Sequence, residues 1–93
     1  MTDRAYRAAP PGALRIELLG ELTAIFDRRS MQTHLVVSPM PEILHALGAD
    51  ICNAATVAAR LAATFDLESD DNVQLILAER LSELAAMGLV ERA

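Results

Sequence analysis

The hydrophobic pattern of this chain changes its period once, at Ser38. Before Ser38, apolar side chains recur at every second position, which is the spacing of a half-buried strand. After it they recur at every third or fourth position, which is the spacing of an amphipathic helix. Strands followed by helices predict the α+β class, with one strand edge left open beside a helix.

Three alternating stretches precede this change, and we assign them to strands at 14–18, 22–27 and 33–37. Gly20-Glu21 separates the first two strands, and the polar run at 28–30 separates the last two. Short polar turns join neighbouring antiparallel strands, so the three strands form one antiparallel sheet of two hairpins.

Ser38 has the residue type and position of an N-cap for the first helix. Pro39 and Pro41 are compatible with the first turn, because early helical positions lack intrahelical partners for their N–H groups. The helix is predicted to end at Gly48. Its apolar stripe consists of Met40, Ile43, Leu44 and Leu47.

Asn53 is the predicted cap of a second helix, and Ser69 or Asp70 that of a third. Gly88 ends the third helix, with Leu89 as the apolar contact of a Schellman motif and at most a short tail strand at Leu89 and Val90. The predicted order is β-β-β-α-α-α. The second helix has an apolar repeat of four residues formed by Val57, Leu61 and Phe65.

With 93 residues, the chain is expected to form one domain at 13–93, preceded by a flexible Ala/Pro-rich arm at 1–12. The composition is 53% hydrophobic but only 3% aromatic, so the core is built from aliphatic side chains. The single cysteine and the absence of a signal-peptide pattern favour a cytoplasmic location. No apolar run reaches the length of about 20 residues that crosses a bilayer, so we expect no membrane association.

The formal charge of −5 opposes nucleic acid as a partner, since phosphate contacts require a basic surface. The third helix instead has two apolar faces. The broader one, assigned to the core, contains Val73, Ile76, Leu77, Leu81, Leu84 and Met87. The other contains Leu75, Ala78, Ser82 and Ala85, and either packs on the protein's own elements or forms a peptide groove with the third strand.

Several segments of the chain follow a recognisable pattern. They are Asp27, Ser30, Thr33-His34-Leu35, Ser38-Pro39 and Ile43-Leu44, which fit D-x-x-S-G-x-T-H-L-L-(N/S)-P-x-x-x-x-(V/I)-L, and the later Val57-Ala58-Ala59-Arg60-Leu61 and Met87-Gly88-Leu89-Val90-Glu91. Together, from about residue 13 to residue 91, they resemble the PqqD-like family, in particular the branch of the HPr-rel-A system. Met31 stands where the family often has a turn glycine, and Thr56 where it has a capping Glu.

The resemblance implies a winged-helix-like, non-catalytic chaperone that presents the leader of a precursor peptide to a maturation enzyme. In that family the leader adds to the third strand and lies against the third helix. Carried over to this chain, the expected peptide-binding residues of the strand are Thr33, His34, Leu35, Val36 and Val37. We project Leu75, Ala78 and Ser82 as the facing residues of the helix.

Enzyme chemistry finds no support in the sequence. His34, His45 and Cys52 match no common zinc spacing, so we expect no metal, no cofactor and no catalytic residue. The acidic residues Glu68, Asp70 and Asp71 are interpreted as helix-start and solvating groups.

The sequence is also compatible with a second role for one turn and with two alternative functions. The Arg28-Arg29 turn either attracts an acidic peptide or serves only as a solubilising turn. A winged-helix DNA-binding regulator is one alternative function, and a structural subunit that forms a homodimer through its strand edge is another.

Overall fold

The computed structural model describes residues 4–10, 12–65 and 71–93. Its elements are β1 (Tyr6–Ala8), β2 (Leu14–Leu19), β3 (Leu22–Asp27), β4 (Gln32–Val36), α1 (Met40–Leu47), β5 (Ile51–Cys52), α2 (Ala54–Phe65), α3 (Asp71–Ala86) and β6 (Val90–Arg92). The α+β class is confirmed. The predicted order is only partly right, because β1 precedes the expected strands and β5 lies between α1 and α2.

The strands form two antiparallel sheets of three strands each among the described residues. One has the order β2-β3-β4 and consists of the two predicted hairpins. The other has the order β5-β1-β6 and joins the two ends of the chain. Of this second sheet, the sequence pattern indicated only the short tail strand.

β1 lies within the stretch that the sequence predicted as a flexible arm. Tyr6 is only 5% exposed, and its backbone pairs with Cys52 on one side and Arg92 on the other. A buried aromatic ring and pairing on both edges hold this segment in the fold. Residues 6–8 are therefore a central strand rather than an arm.

A single apolar cluster lies between the helices and the two sheets. Ile25 and Val36 of the β2-β3-β4 sheet belong to it, as do Tyr6 and Val90 of the second sheet. The remaining members come mainly from the helices: Met40, Ile43, Leu44, Leu47, Cys52, Ala54, Val57, Ala58, Leu61, Leu77, Leu81, Leu84 and Leu89. The predicted core stripe of α1 is confirmed, whereas Ile76 of α3 is 43% exposed.

The face of β3 that is buried in the β2-β3-β4 sheet is not its more apolar face. Thr23, Ile25 and Asp27 are buried, while Leu22 is exposed on the other face. On β2, Ile16 and Leu18 lie on the same face as Ile25 but are 51% and 76% exposed, so the buried part of this face lies on β3 and β4. Strict alternation was predicted correctly, but alternation alone does not decide which face is buried.

Of the four predicted helix ends that lie on described residues, those at Gly48, Asn53 and Gly88 agree with the structure, and α1 ends at Leu47 with Gly48 at φ 56°. The Asn53 Oδ1 atom accepts hydrogen bonds from the Thr56 backbone N–H and hydroxyl, at 2.9 and 3.0 Å, as expected of an N-cap. At the end of α3, Leu89 N–H donates to the Leu84 carbonyl at 3.0 Å, and Gly88 N–H donates to the Ala85 carbonyl at 3.0 Å, with Gly88 at φ 79°. These two bonds are the predicted Schellman motif.

The prediction that Ser38 caps α1 is wrong. Pro39 occupies the cap position without a side-chain cap bond, and the helix begins at Met40. Ser38 lies one residue too early to reach the first free N–H groups, and its hydroxyl donates to the Glu42 carboxylate instead.

The buried position of Tyr6 yields a test of β1. Replacing Tyr6 by Ala removes a ring packed in the common core, so we expect the free energy of unfolding to fall by about 3–5 kcal/mol. Urea denaturation followed by circular dichroism measures this change. Arg7→Ala is the matched control on the exposed face of the same strand, and its expected effect is below about 1 kcal/mol. Equal small effects would contradict the placement of β1 in the core.

Candidate functional site

The strand β4 forms one edge of the β2-β3-β4 sheet. It pairs with β3 in the register Ile25 with His34 and Thr23 with Val36. On its other side no strand of the described part of the chain is paired with it. The backbone of an edge strand directs N–H and C=O groups outward at alternate residues, so β4 has free hydrogen-bonding groups for another extended segment.

The side chains of this edge follow the two faces predicted from the sequence. Thr33, Leu35 and Val37 are exposed, with Leu35 at 61% and Val37 at 52%. Val36 is buried in the core and His34 is half-buried. The site thus combines an open backbone edge with an exposed apolar row.

His34 contributes a buried polar atom without a partner. Its Nε2 atom is inaccessible to solvent, and no hydrogen-bond partner for it occurs among the residues that the structure describes. Buried polar atoms are normally hydrogen-bonded, so an unpaired one on an open strand needs an explanation.

The edge strands differ in their protection against pairing. On β2 the exposed Arg15 and Glu17 side chains lie 3.4 Å apart, and charged side chains on an edge oppose the addition of another strand. β6 carries Glu91 and Arg92. The sequence of β4, Gln-Thr-His-Leu-Val, contains neither an acidic residue nor a Lys or Arg. The fourth edge strand, β5, is also uncharged but has only two residues, so β4 is the longest edge without such protection among the described strands.

The turn before β4 is fixed by an internal ion pair. The Asp27 carboxylate accepts hydrogen bonds from the Arg29 backbone N–H at 2.9 Å, from Nε at 3.1 Å and from Nη2 at 3.1 Å. Arg29 Nη2 also donates to the Gly88 carbonyl at 2.9 Å, and the guanidinium lies 4.0 Å from Glu91. Arg29 therefore ties the β3–β4 turn to the end of α3 and to β6.

This pairing shifts the pKa of both groups. The hydrogen bonds from the Arg29 side chain lower the pKa of Asp27 below its ordinary value of 3.8. The same bonds raise the pKa of Arg29. Of the two arginines of the turn, Arg29 is thus held by internal contacts, while Arg28 is exposed and has no ion pair with a described residue.

The last residue of the turn has an unfavourable backbone conformation. Met31 has φ 60°, the left-handed region in which glycine is favoured, and its N–H donates to the Asp27 carbonyl at 2.8 Å. Its side chain is 73% exposed. Glycine would adopt this conformation without strain.

The three predicted residues of α3 lie together on a different surface. Leu75, Ala78 and Ser82 line a cleft of about 520 Å³, whose other walls include Tyr6 of β1 and Arg92 of β6. Thr33 lines a separate cavity of about 290 Å³ on the outer face of the β2-β3-β4 sheet. None of the cavities found between described residues is lined by both β4 and α3.

Sequence reasoning missed Arg4, Tyr6 and Arg92 as lining residues of the α3 cleft. All three lie near the ends of the chain, outside the segments with a clear hydrophobic period. The only available signal was Tyr6 itself, the single Tyr in a chain with few aromatic residues. Its place beside α3 depends on pairing between the two chain ends.

The residues considered for metal or covalent chemistry are dispersed. His45 is exposed on α1, and Cys52 is 2% exposed within the core. Over the described ranges, no group of three or more His, Cys, Asp or Glu residues is arranged to hold a metal ion. Glu68 and Asp70, together with the predicted cap Ser69, lie outside the described residues.

Comparisons of this chain with protein-family models, with curated proteins and with solved structures gave no match. In the part of the chain that the structure describes, no helix has the length and apolar character needed to span a membrane.

The Asp27–Arg29 pair makes the stability of the fold depend on pH. Because the pKa of Asp27 is lower in the folded state than in the unfolded chain, its contribution is present above about pH 4 and is lost as the pH falls through the folded pKa. We expect Asp27→Asn to lower the urea midpoint at pH 7 and to reduce the loss of stability on acidification. Glu17→Gln, at an exposed ion pair, is the control and should retain the wild-type acid dependence.

Met31→Gly tests the strain in the turn. A side chain in the left-handed region costs about 1–2 kcal/mol, and glycine costs about 0.5–1 kcal/mol in chain entropy. We expect a gain of about 0.5–1 kcal/mol in the free energy of unfolding, because the exposed side chain contributes little packing. Met31→Ala keeps the strain and should give no gain. Destabilisation by glycine would show that the Met31 side chain contributes more than its backbone conformation costs.

Proposed function

We propose that the chain is a winged-helix-like, non-catalytic peptide-binding chaperone that captures the leader of a precursor peptide by strand addition to β4. The observation that carries the proposal is the uncharged, open edge of β4 with its exposed apolar row. A maturation enzyme in the cytoplasm would then receive the leader in a fixed, extended form.

Strand addition uses the backbone of the peptide for affinity and its side chains for selectivity. A leader paired with β4 alternates its side chains between the two sheet faces. Those on the outer face lie beside Thr33, Leu35 and Val37, which favours apolar residues at every second position of the leader. Those on the inner face approach His34 and Val36.

His34 supports this assignment through the unpaired Nε2 atom. A leader residue on the inner face that carries a hydroxyl or amide group would supply the missing hydrogen-bond partner. The gain is larger than for an exposed contact, because an unsatisfied buried group costs about 1–3 kcal/mol. We therefore expect a polar residue opposite His34 in the preferred leader.

The expected contact of the leader with α3 requires a longer path. Leu75, Ala78 and Ser82 face the cleft beside β1 and β6 rather than a cavity shared with β4. A leader that pairs with β4 and also contacts these residues must continue beyond the sheet. Chemical shift mapping separates this path from binding at β4 alone.

The two alternative functions receive less support. A DNA-binding regulator would have to place α3 against phosphates, yet the protein has a net charge of −5, and α3 carries Glu79 and Glu83 with Arg80 as its only basic residue. A homodimer through β4 uses the same free edge as a leader does, so the two modes compete. A single titration at several protein concentrations distinguishes them.

A pair of matched variants tests the proposal. Leu35→Glu places a charge on the β4 edge, whereas Leu19→Glu places one at an equally apolar, exposed position on the other edge strand of the sheet. We expect Leu35→Glu to weaken leader binding about tenfold, equivalent to about 1.4 kcal/mol, and Leu19→Glu to leave it within about twofold. Isothermal titration with a candidate leader peptide measures both.

Chemical shift mapping locates the binding surface directly. Addition of the leader to isotope-labelled protein should shift the amide signals of residues 32–37. Shifts confined to other strands, or equal weakening by the two Glu variants, would contradict strand addition to β4. Sedimentation velocity at increasing concentration detects the competing homodimer.

A further inference from the structure

The cleft along α3 has walls from three separate parts of the chain. Its volume is about 520 Å³, within the usual range of about 300–1,000 Å³ for binding clefts. The floor is formed by Ala78 with the ring of Tyr6, and Leu75 is 54% exposed at its side. The charged residues that line it are Arg4, Glu79 and Arg92.

A second cavity continues this cleft towards the end of α3. Its volume is about 500 Å³, and it shares Ser82 and Arg92 with the first. Ala85 and Ala86 of α3 also line it, together with Val90 and Glu91 of β6. The two cavities together form a groove that follows α3 for several turns, which we call the α3–β6 groove.

The charges of the α3–β6 groove contrast with those of the whole protein. Arg4 and Arg92 line the groove and make no ion pair with any described residue. Among the other described arginines, Arg7, Arg15, Arg29, Arg60 and Arg80 have ion pairs and Arg28 has none. The acidic residues of the groove are Glu79 and Glu91, and Glu91 already pairs with Arg7 at 3.3 Å and with Arg29 at 4.0 Å. Arg4 and Arg92 therefore outnumber Glu79 among the lining charges that have no ion pair with a described residue, while the whole protein carries −5.

We propose that the α3–β6 groove binds an extended acidic segment of a partner protein. Carboxylates of that segment pair with Arg4 and Arg92, and its apolar side chains lie against Leu75 and Ala78. Guanidinium groups form bidentate hydrogen bonds with carboxylates, which gives this pairing both strength and direction. The groove is a second surface, separate from β4, and the proposal does not depend on strand addition to β4, although a leader that continued beyond the sheet would contact the same α3 residues.

Its shape favours a peptide segment over a compact ligand. The groove is long and open, and small side chains at Ala78, Ser82 and Ala85 allow a backbone to approach the helix closely. Long-range attraction between the two arginines and an acidic segment raises the rate of encounter and weakens with salt. A basic segment would meet repulsion from both arginines.

The probe for the test is a fluorescein-labelled peptide of alternating Glu and Val residues. A peptide of alternating Lys and Val is the reversed-charge control. Fluorescence anisotropy at about 20 and 200 mM NaCl measures the affinity and its dependence on ionic strength. We expect the acidic probe alone to bind, and its affinity to fall at the higher salt concentration.

Three charge variants distinguish binding in the groove from attraction by the net charge of the protein. Arg92→Glu should weaken binding of the acidic probe about tenfold, because it replaces attraction by repulsion. Arg28→Glu makes the same change of net charge at the exposed β3–β4 turn and should alter the affinity less than about twofold. Glu79→Gln removes an acidic group of the groove and should strengthen binding about two- to fivefold.

Ser82→Trp tests the position independently of charge. Ser82 is exposed and lines both cavities, so a large side chain there fills the groove without entering the core. Loss of binding in this variant, with an unchanged circular dichroism spectrum, supports the proposal. Equal effects of Arg92→Glu and Arg28→Glu, binding retained by Ser82→Trp, or amide shifts confined to residues 32–37 would overturn it. Concentration-dependent dimerisation abolished by Arg92→Glu would assign the groove to a second copy instead.

Discussion

Both sheets depend on the same helical surface for their buried faces. Ile25 and Val36 from one sheet, and Tyr6 and Val90 from the other, pack into one cluster with α1, α2 and α3. Short three-stranded sheets have little stability in water without such a surface. The core is mostly aliphatic, so the free energy of folding comes from many small burials rather than a few large rings. Loss of helix packing would therefore release both sheets.

Two arginine side chains make polar contacts between elements that are far apart in the sequence. Arg29 links the β3–β4 turn to the Gly88 carbonyl, and Arg60 donates to the Ala46 and Leu47 carbonyls at the end of α1, at 2.9 and 3.3 Å. Arg60 also pairs with Asp50 at 2.8 Å, which raises the pKa of the guanidinium. Each arginine satisfies backbone carbonyls that a helix end leaves free. The Arg29 contact holds the turn before β4 beside Gly88, which lines the α3–β6 groove.

The proposed binding surfaces lie where the shared core ends. The helices cover the inner face of the β2-β3-β4 sheet, but the outer edge of β4 has no strand beside it within the described residues. On α3, the residues that face the core are Leu77, Leu81 and Leu84, whereas Leu75 and Ser82 lie outside it. These two margins differ in charge, because β4 is uncharged, whereas the groove is lined by Arg4 and Arg92, which have no ion pair with a described residue.

The local pattern of residues is enough to predict the three hairpin strands, the three helices, the Asn53 cap and the Schellman end at Gly88, since each depends on neighbours within a few residues. It also predicts which residues of β4 share a face. Long-range packing places Tyr6 in a central strand, selects the face of β3 on which Asp27 is buried, and brings the second face of α3 to β6. These depend on partners as far apart as Arg7 and Glu91, 84 positions along the chain, and local periodicity carries no information about such pairs.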